Sequence, residues 1–560
     1  MKTILALAAC ASLFALASAV EASPASKTQT PAEAQKPPAL TTSSPDRGVL
    51  FAPEAVSSDG SVTVEGQRID YRAIAGTIVV HPKDWDDSAT IEQAAPKEEP
   101  AGKEEKELGD ENNPKAEASM FYVAYFKKGV PSADRPITFI YNGGPGSSSV
   151  WLHMGAFGPR RVVTADDSHT PAAPYHLVDN AYSLLDVSDL VFIDAPGTGF
   201  SRIAGKDKEK AFFGVDADAH AFDQFILGFL SKYGRWNSPK YLFGESYGTP
   251  RSAVLVNELE TSDDVDFNGV ILLSEILNFD LSADGPELNP GTEEPYIVAL
   301  PTYAATAWYH NLIPGGRPAD LEAFLKEVED FATGDYAHAL LAGSQLDPAQ
   351  RQAIAERLSH YTGLPADYIL KANLRIDGGE FEKTLQDRAD LTTGRLDTRF
   401  SGPSLDPLSK EAEYDPQSAA ISSAYVSLFN DYVRKTLGFG DGRIFKPEIN
   451  VFKYWDYNHQ PPSADHPAEG IVNVMPDIAN ALKQNPSLKV MVAGGYYDLA
   501  TPFYEGWYEM HHLQIPGKLM SNIEFHYYPS GHMVYAHEAS LKTLHDDAAA
   551  FIRKTDNLGQ

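Results

Sequence analysis

One stretch restricts the fold of this chain more than any other: Gly244-Glu245-Ser246-Tyr247-Gly248, set between the apolar run Tyr241-Leu242-Phe243 and a helical pattern that begins near Arg251. A strand that turns at once into a helix leaves its middle residue strained and exposed, and flanking glycines give the backbone room for that turn. Ser246 is thereby the candidate nucleophile. Alone, the five residues equally describe an ordinary strand-to-helix turn that contains a serine. The rest of the chain has to discriminate.

The surrounding pattern predicts strands that alternate with helices. Strands are expected at Phe121 to Phe126, Pro136 to Tyr141, Leu190 to Ile193, Tyr241 to Phe243, Val270 to Leu273, Val490 to Ala493 and Ile523 to Tyr528. Between them, Phe222, Phe225, Ile226, Phe229 and Leu230 recur at helical spacing, as do Val254, Leu255 and Leu259 and, near the end, Leu541, Leu544, Ala548, Phe551 and Ile552. This alternation predicts an α/β fold with a mostly parallel central sheet flanked by helices, whose ligands sit beyond the C-terminal strand ends. The pattern lapses over residues 279–446, where helical segments such as Leu321 to Leu341 and Ala349 to Leu364 dominate. So long a stretch is no loop, and it reads as an inserted helical cap over the catalytic edge. The core is thus expected in two parts, 58–278 and 447–560.

At the N-terminus, Met1-Lys2, an apolar run from Ile4 to Leu16 and Ala17-Ser18-Ala19 read as a signal peptide over residues 1–22, which predicts export to a periplasm or the medium. The single cysteine, Cys10, lies inside that run, so no disulfide is expected in the mature chain, which points to a bacterial source. Lipoprotein cleavage before Cys10 is the lesser reading, because the apolar stretch before it is short and continues after it. Residues 23–57 read as a flexible Ala/Pro-rich leader, and residues 91–118, rich in Lys and Glu, as a charged surface loop. Strands or hairpins are expected from Val62 to Val80. With 77 acidic and 46 basic residues the net charge is −31, which repels phosphate backbones, so nucleic acid is not an expected partner. No membrane-spanning segment is expected once the signal is removed.

A serine hydroxyl needs a base, and the base needs an orienting carboxylate. Asp498 follows the strand Val490 to Ala493 after Gly494-Gly495-Tyr496-Tyr497, and His532 follows the strand Ile523 to Tyr528 within Pro529-Ser530-Gly531-His532-Met533. The chain order Ser, Asp, His, each just past a strand, is that of α/β-hydrolases. In that fold one oxyanion amide belongs to the residue after the nucleophile, here Tyr247. The other comes from a glycine-rich turn after an early strand, here Gly144 in Asn142-Gly143-Gly144-Pro145-Gly146.

In these motifs, together with Ile193-Asp194-Ala195-Pro196-Gly197-Thr198-Gly199-Phe200-Ser201 and Gly531-His532-Met533-Val534, the chain resembles the serine carboxypeptidase family, peptidase family S10. The resemblance runs in blocks from about Pro136 to the C-terminus. It implies an α/β-hydrolase with a helical cap that releases C-terminal amino acids from peptides through an acyl-enzyme, without cofactor. It also implies that Asn142 and Glu245 bind the substrate carboxylate. A glutamate donates to a carboxylate only when one of the two is protonated, so acidic working conditions are expected, with the Michaelis constant rising above about pH 6. An esterase or acyltransferase on the same fold is the alternative reading, and a catalytically silent binding protein a third.

Departures from the family pattern are Ile140, where relatives often carry Trp, Ala156, where many carry Glu, and Gly495-Tyr496-Tyr497-Asp498 in place of Gly-Asp-x-Asp. They reduce the expected carboxylate site to Asn142 and Glu245 unless the cap contributes. Gly394-Arg395-Leu396-Asp397-Thr398-Arg399 in the cap offers either a guanidinium for the substrate or, the favoured reading, an Arg/Asp pair that holds the cap together. His511 and His512 lack a metal-binding spacing, and no metal is expected.

Overall fold

Central strands that are buried on both faces must be apolar throughout, and Ile137-Thr138-Phe139-Ile140-Tyr141 and Gly269-Val270-Ile271-Leu272-Leu273 have no exposed residue. In the computed structural model, which describes residues 50–83, 85, 115–468, 470 and 472–558, they are the middle of a ten-stranded sheet. Its main strands are β1 (Ala55–Val64), β2 (Gln67–Val80), β3 (Glu117–Lys127), β4 (Ile137–Tyr141), β5 (Asp189–Ile193), β6 (Lys240–Glu245), β7 (Gly269–Leu273), β8 (Lys489–Gly495) and β9 (Ile523–Tyr528). They lie in the order β1-β2-β3-β5-β4-β6-β7-β8-β9, and a short strand, Arg202–Ala204, pairs with β3. The pairs β1/β2, β2/β3 and β3/β5 are antiparallel, and every pair from β5 to β9 is parallel. This order, with its crossing of β4 and β5, is the α/β-hydrolase fold.

The expected signal peptide, most of the leader and nearly all of the charged 91–118 tract lie outside the described residues. Two boundaries shift. β1 begins at Ala55, inside the expected leader, because Ala55 pairs with Gly76 of β2. β3 begins at Glu117, inside the expected charged loop, where it pairs with Ala204 and its carboxylate accepts the Leu50 amide at 3.0 Å.

The helices that bear on the site are α1 (Val215–Tyr233), α2 (Gly248–Ser262), α3 (Glu294–Tyr309), α4 (Leu321–Phe331), α5 (Pro348–Thr362), α6 (Pro416–Lys435), α7 (Met475–Gln484), α8 (Phe503–His511) and α9 (Glu538–Thr555). Strand alternation divides the core by sheet face. Phe139, Tyr141, Leu242, Val270 and Leu272 meet α1, α2 and α7 on one face, whereas Ile140, Phe243, Ile271 and Leu273 meet α6 and α9 on the other. On α1 the i, i+3, i+4 spacing puts Phe222, Phe225, Ile226 and Phe229 on the buried side, each contributing about 2 kcal/mol. The helix ends at Gly234, whose φ of 63° closes its last turn.

Within the expected cap, α3, α4 and α5 build their own cluster around Phe324, Val328, Leu358 and Phe381, and it is joined to the core through Leu499 and Phe503. Helix α6, also expected in the cap, instead packs Ile421, Tyr425, Phe429 and Val433 into the sheet's own core beside Trp151 and Phe157. Its apolar face finds a partner in the π-helical turn Leu152–Phe157 that follows the glycine-rich loop.

Candidate active site

The parallel register brings several strand ends level: Glu245 on β6 lies opposite Leu273 on β7, which lies opposite Ala493 on β8. Ser246 stands immediately beyond, with a φ of 59°, in the left-handed region that costs a non-glycine residue about 1–3 kcal/mol. The turn is over-determined by its hydrogen bonds. The Ser246 amide donates to Leu273 O at 3.0 Å, and the Ser246 carbonyl accepts from Thr249 N at 2.7 Å and Thr249 Oγ1 at 2.8 Å. Gly244 has to be glycine: a Cβ there would stand 2.1 Å from Gly248 O and 2.5 Å from Ser252 Oγ. Ser246 is the partly exposed residue in an otherwise buried run from Tyr241 to Pro250.

Asp498 and His532 come from the loops after β8 and β9. Asp498 is completely buried, and its carboxylate accepts Ala500 N at 2.9 Å, Thr501 N at 3.0 Å, Thr501 Oγ1 at 2.7 Å and His532 Nδ1 at 2.8 Å. With Nδ1–H directed at Asp498, the other ring nitrogen is left free to act as a base. Burial alone would lower the His532 pKa. Asp498, by charge and hydrogen bond, and the Glu245 charge outweigh burial and the opposing Arg395, so the imidazole sits above its ordinary value. Ser274, also in the left-handed region, ties the three strand ends together: its hydroxyl donates to His532 O at 2.7 Å and its amide to Ala493 O at 2.7 Å.

The glycine-rich loop lies directly on the nucleophile turn. A Cβ on Gly143 would stand 2.3 Å from Tyr247 N and 2.5 Å from Gly248 N, so only glycine fits. Gly144 is exposed beside it with a φ of 109°. Among the described residues neither the Gly144 nor the Tyr247 amide is engaged by a protein acceptor. Two uncommitted backbone donors next to a serine are what an oxyanion requires.

Asn142 and Glu245 meet. Asn142 Nδ2 donates to Glu245 Oε1 at 2.9 Å, and Asn142 Oδ1 accepts Leu152 N at 3.0 Å, which fixes the amide orientation. The Glu245 carboxyl interacts with the Tyr535 side chain, but Oε2 has no partner of hydrogen-bonding geometry although the residue is buried. Burial pushes the Glu245 carboxyl up to about 7, with Asp498 acting in the same direction and His532, Tyr535 and Asn142 pulling against it. A buried carboxyl in that range carries its proton under acidic conditions and donates from it. Ile140 and Ala156 are fully buried and add no polar group to this site.

Several supporting residues were not singled out from the sequence. Ser149 accepts Asn142 N at 3.2 Å through its hydroxyl, which donates to Ile193 O, while its own amide donates to Asp194 Oδ1 at 2.9 Å. This gives the Ile193–Ser201 motif a task as a brace beneath the glycine-rich loop. Arg251 of α2, buried against the Phe222 ring, pairs with Asp218 at 2.5 Å and donates to Asn142 O at 2.8 Å. Segment 394–399, within the expected cap, crosses the loops that carry Asp498 and His532: His532 N donates to Leu396 O at 2.6 Å, Leu499 N to Arg395 O at 3.1 Å and Thr398 N to Tyr497 O at 2.9 Å. Arg399 is buried and paired with Asp397 at 2.6 Å, and Arg395 pairs with Asp284, so the Arg/Asp reading of this segment describes its contacts. His511 and His512 are exposed and stack on Trp507 and Tyr508. Among the described residues no group of His, Cys, Asp or Glu is arranged to hold a metal, and no helix is long and apolar enough to cross a membrane.

An α/β-hydrolase sheet that presents a strained serine, a His–Asp pair and free backbone amides at one edge defines a serine hydrolase site. The sequence profile of the serine carboxypeptidases, Peptidase S10, matches residues 110–534, and the chain belongs to that family. Among relatives, a carboxypeptidase Y homolog from Arthroderma benhamiae is 32% identical over 137 residues, 24% of this chain and 25% of the relative. The serine carboxypeptidase-like 36 protein of Arabidopsis thaliana is 27% identical over 177 residues, 30% of this chain and 34% of the relative. The matched part of this chain thus spans a quarter to a third of those proteins. Among solved structures, proline iminopeptidase from Mycobacterium smegmatis aligns over 90% of this chain and 100% of that one, at 12% identity and a TM-score of 0.32. So loose a superposition adds nothing to the strand order.

Proposed function

We propose that the protein is a serine carboxypeptidase: it releases the C-terminal residue of a peptide through an acyl-enzyme on Ser246, and it works at acidic pH. The observation that carries this reading is the buried Asn142–Glu245 pair, in which Glu245 Oε2 is unpartnered and the carboxyl is pushed up to about 7. Cleavage of internal bonds or simple esters does not call for a carboxylate-binding group beside the nucleophile. An exopeptidase does, because it must recognise a free carboxylate within one residue of the scissile bond.

In the first step Ser246 Oγ attacks the scissile carbonyl, and His532 Nε2 takes the hydroxyl proton while Asp498 stabilises the imidazolium. The amides of Gly144 and Tyr247 hold the carbonyl oxygen as it becomes negative, and each such donor is worth about 10²–10³ in rate. His532 then gives its proton to the departing amine, and the terminal amino acid leaves. Water, deprotonated by the same imidazole, cleaves the acyl-enzyme and restores Ser246. Throughout, the peptide carboxylate accepts from the Glu245 carboxyl and from Asn142, the polar groups this chain places there. Export to a periplasm or the medium, expected from residues 1–22, belongs to the same reading.

The test is a fluorophosphonate probe combined with mass-spectrometric cleavage ladders from a mixed peptide set at about pH 4 to 7. Stoichiometric labelling that is abolished in Ser246→Ala, together with ladders shortening from the C-terminus alone, supports the proposal. Internal cleavage, or labelling that survives the substitution, would count against it.

A further inference from the structure

Beside Tyr535 lies a cavity of about 290 Å³ that the proposed reaction leaves unused; its charged and aromatic lining is Arg161, Asp166, Tyr425, Tyr535, His537 and Glu538. Tyr535 links the cavity to the candidate site, since it lines the cavity and interacts with Glu245. The Tyr535 and Tyr425 rings lie against Gly155 so closely that a Cβ there would stand 2.6 Å from Tyr535 Cδ2 and 2.7 Å from Tyr425 Oη.

Arg161 is the unusual member of this lining. Its side chain is only 12% exposed, its Nη2 reaches Glu538 Oε1 at 3.0 Å, and its Nε is buried without a partner. Glu538 is 60% exposed, so this ion pair is a weak surface contact of the kind worth under about 1 kcal/mol. Asp166 is already held by Arg399 Nη1 at 3.1 Å. The guanidinium therefore has one N–H orphaned and another engaged by a replaceable carboxylate. A planar carboxylate that took both in a fork would satisfy the orphan and displace Glu538 to water at little cost.

We propose that this cavity receives the acidic side chain of a substrate's terminal residue, with Arg161 as the group that recognises it, so that the enzyme prefers peptides ending in Glu or Asp. The inference rests on the carboxypeptidase reading, because Asn142 and Glu245 must hold the main-chain carboxylate for the adjoining side chain to be directed at Arg161.

The test compares blocked peptides identical except for a terminal Glu, Gln or Leu, at about pH 5.5, where the substrate's side chain is ionised. The expected Glu:Gln ratio of kcat/KM is about tenfold or more in the wild type, falls to within about twofold of unity in Arg161→Gln, and is partly restored in Arg161→Lys. Glu538→Gln, at an exposed position where folding is not at stake, removes the competing carboxylate and is expected to raise the ratio. A wild-type ratio at or below one overturns the proposal, as does a Glu538→Gln ratio that does not rise. An equal loss on all three peptides in Arg161→Gln would also overturn it, by moving the main-chain carboxylate to Arg161. Release of Leu and Gln without preference for Glu refutes this inference alone, whereas no terminal release from any peptide refutes the carboxypeptidase reading and this one with it.

Discussion

Glu245 gives the sharpest quantitative expectation. Burial pushes its carboxyl from the ordinary 4.5 up to about 7, so the group that donates to the substrate is protonated in acid and lost as pH passes about 7. For a single site at that position, the protonated fraction drops from about nine-tenths at pH 6 to about one-tenth at pH 8, and each further unit costs a factor of about ten, or about 1.4 kcal/mol. The peptide's own carboxylate is ionised throughout this range, so it adds no slope. The clean measurement is calorimetric binding of a free-carboxylate peptide to Ser246→Ala, which separates binding from turnover. The dissociation constant is expected to rise about tenfold between pH 6 and 8. In the double variant Ser246→Ala/Glu245→Gln the amide still donates but does not titrate, so the constant should vary less than about twofold over the same range. His532 is present in both proteins, and the difference between the two curves isolates Glu245. A flat curve in Ser246→Ala, or equal slopes in the two variants, would refute the assignment of Glu245 as the proton-carrying donor.

Three other outcomes follow from the packing and from buried charges. Gly143→Ala places a Cβ 2.3 Å from Tyr247 N and pushes the glycine-rich loop off the nucleophile turn, so kcat should fall by at least about 10²-fold, and the urea midpoint should fall as well because the clash is with backbone; unchanged turnover would remove the loop from the oxyanion site. His459, buried between Asp216 at 2.6 Å and Asp477 at 2.8 Å, is pushed up to about 9 because the two carboxylates outweigh burial. Its stabilisation is fully present below the unfolded value of 6.5 and lost as pH rises through about 9, so His459→Leu should cost about 3 kcal/mol at pH 6 and much less at pH 10, read by urea unfolding. Glu505, completely buried with both oxygens unpartnered, is held well above its usual value, first by burial and then by Glu509 and Asp498. Such a carboxyl favours the folded state only while protonated, so Glu505→Gln should raise the urea midpoint at pH 8 and leave it nearly unchanged at pH 4; a gain of equal size at both pH values would contradict this.

What was legible in the sequence was whatever depends on local pattern. The parallel strands are apolar on both faces, the turn at Ser246 has its glycines, and the order Ser, Asp, His past successive strands follows from chain direction alone. Contacts made by backbone groups across long separations were not legible. Nothing in Arg395-Leu396 announces that their carbonyls receive the amides of Leu499 and His532, because a carbonyl carries no residue-specific signal. Asp194 and Arg251 stood in view, yet their work beneath Asn142 depends on where Ser149 and α2 come to rest. Helix α6 fell within the expected cap, and only the position of the Leu152–Phe157 turn decides that its apolar side faces the sheet. The size of the Glu245 shift was hidden for the same reason, since burial is a property of the assembled fold.

The central claim, that hydrolysis requires a free C-terminal carboxylate, is tested most directly by one comparison. An N-blocked peptide with a free carboxyl and the same peptide with a C-terminal amide are incubated at about pH 5 with the wild type and with Ser246→Ala, and the products are read by mass spectrometry. Expected are loss of a single terminal residue from the free acid, at least about a hundredfold slower attack on the amide, and no product with Ser246→Ala. Equal rates on the acid and the amide would contradict it.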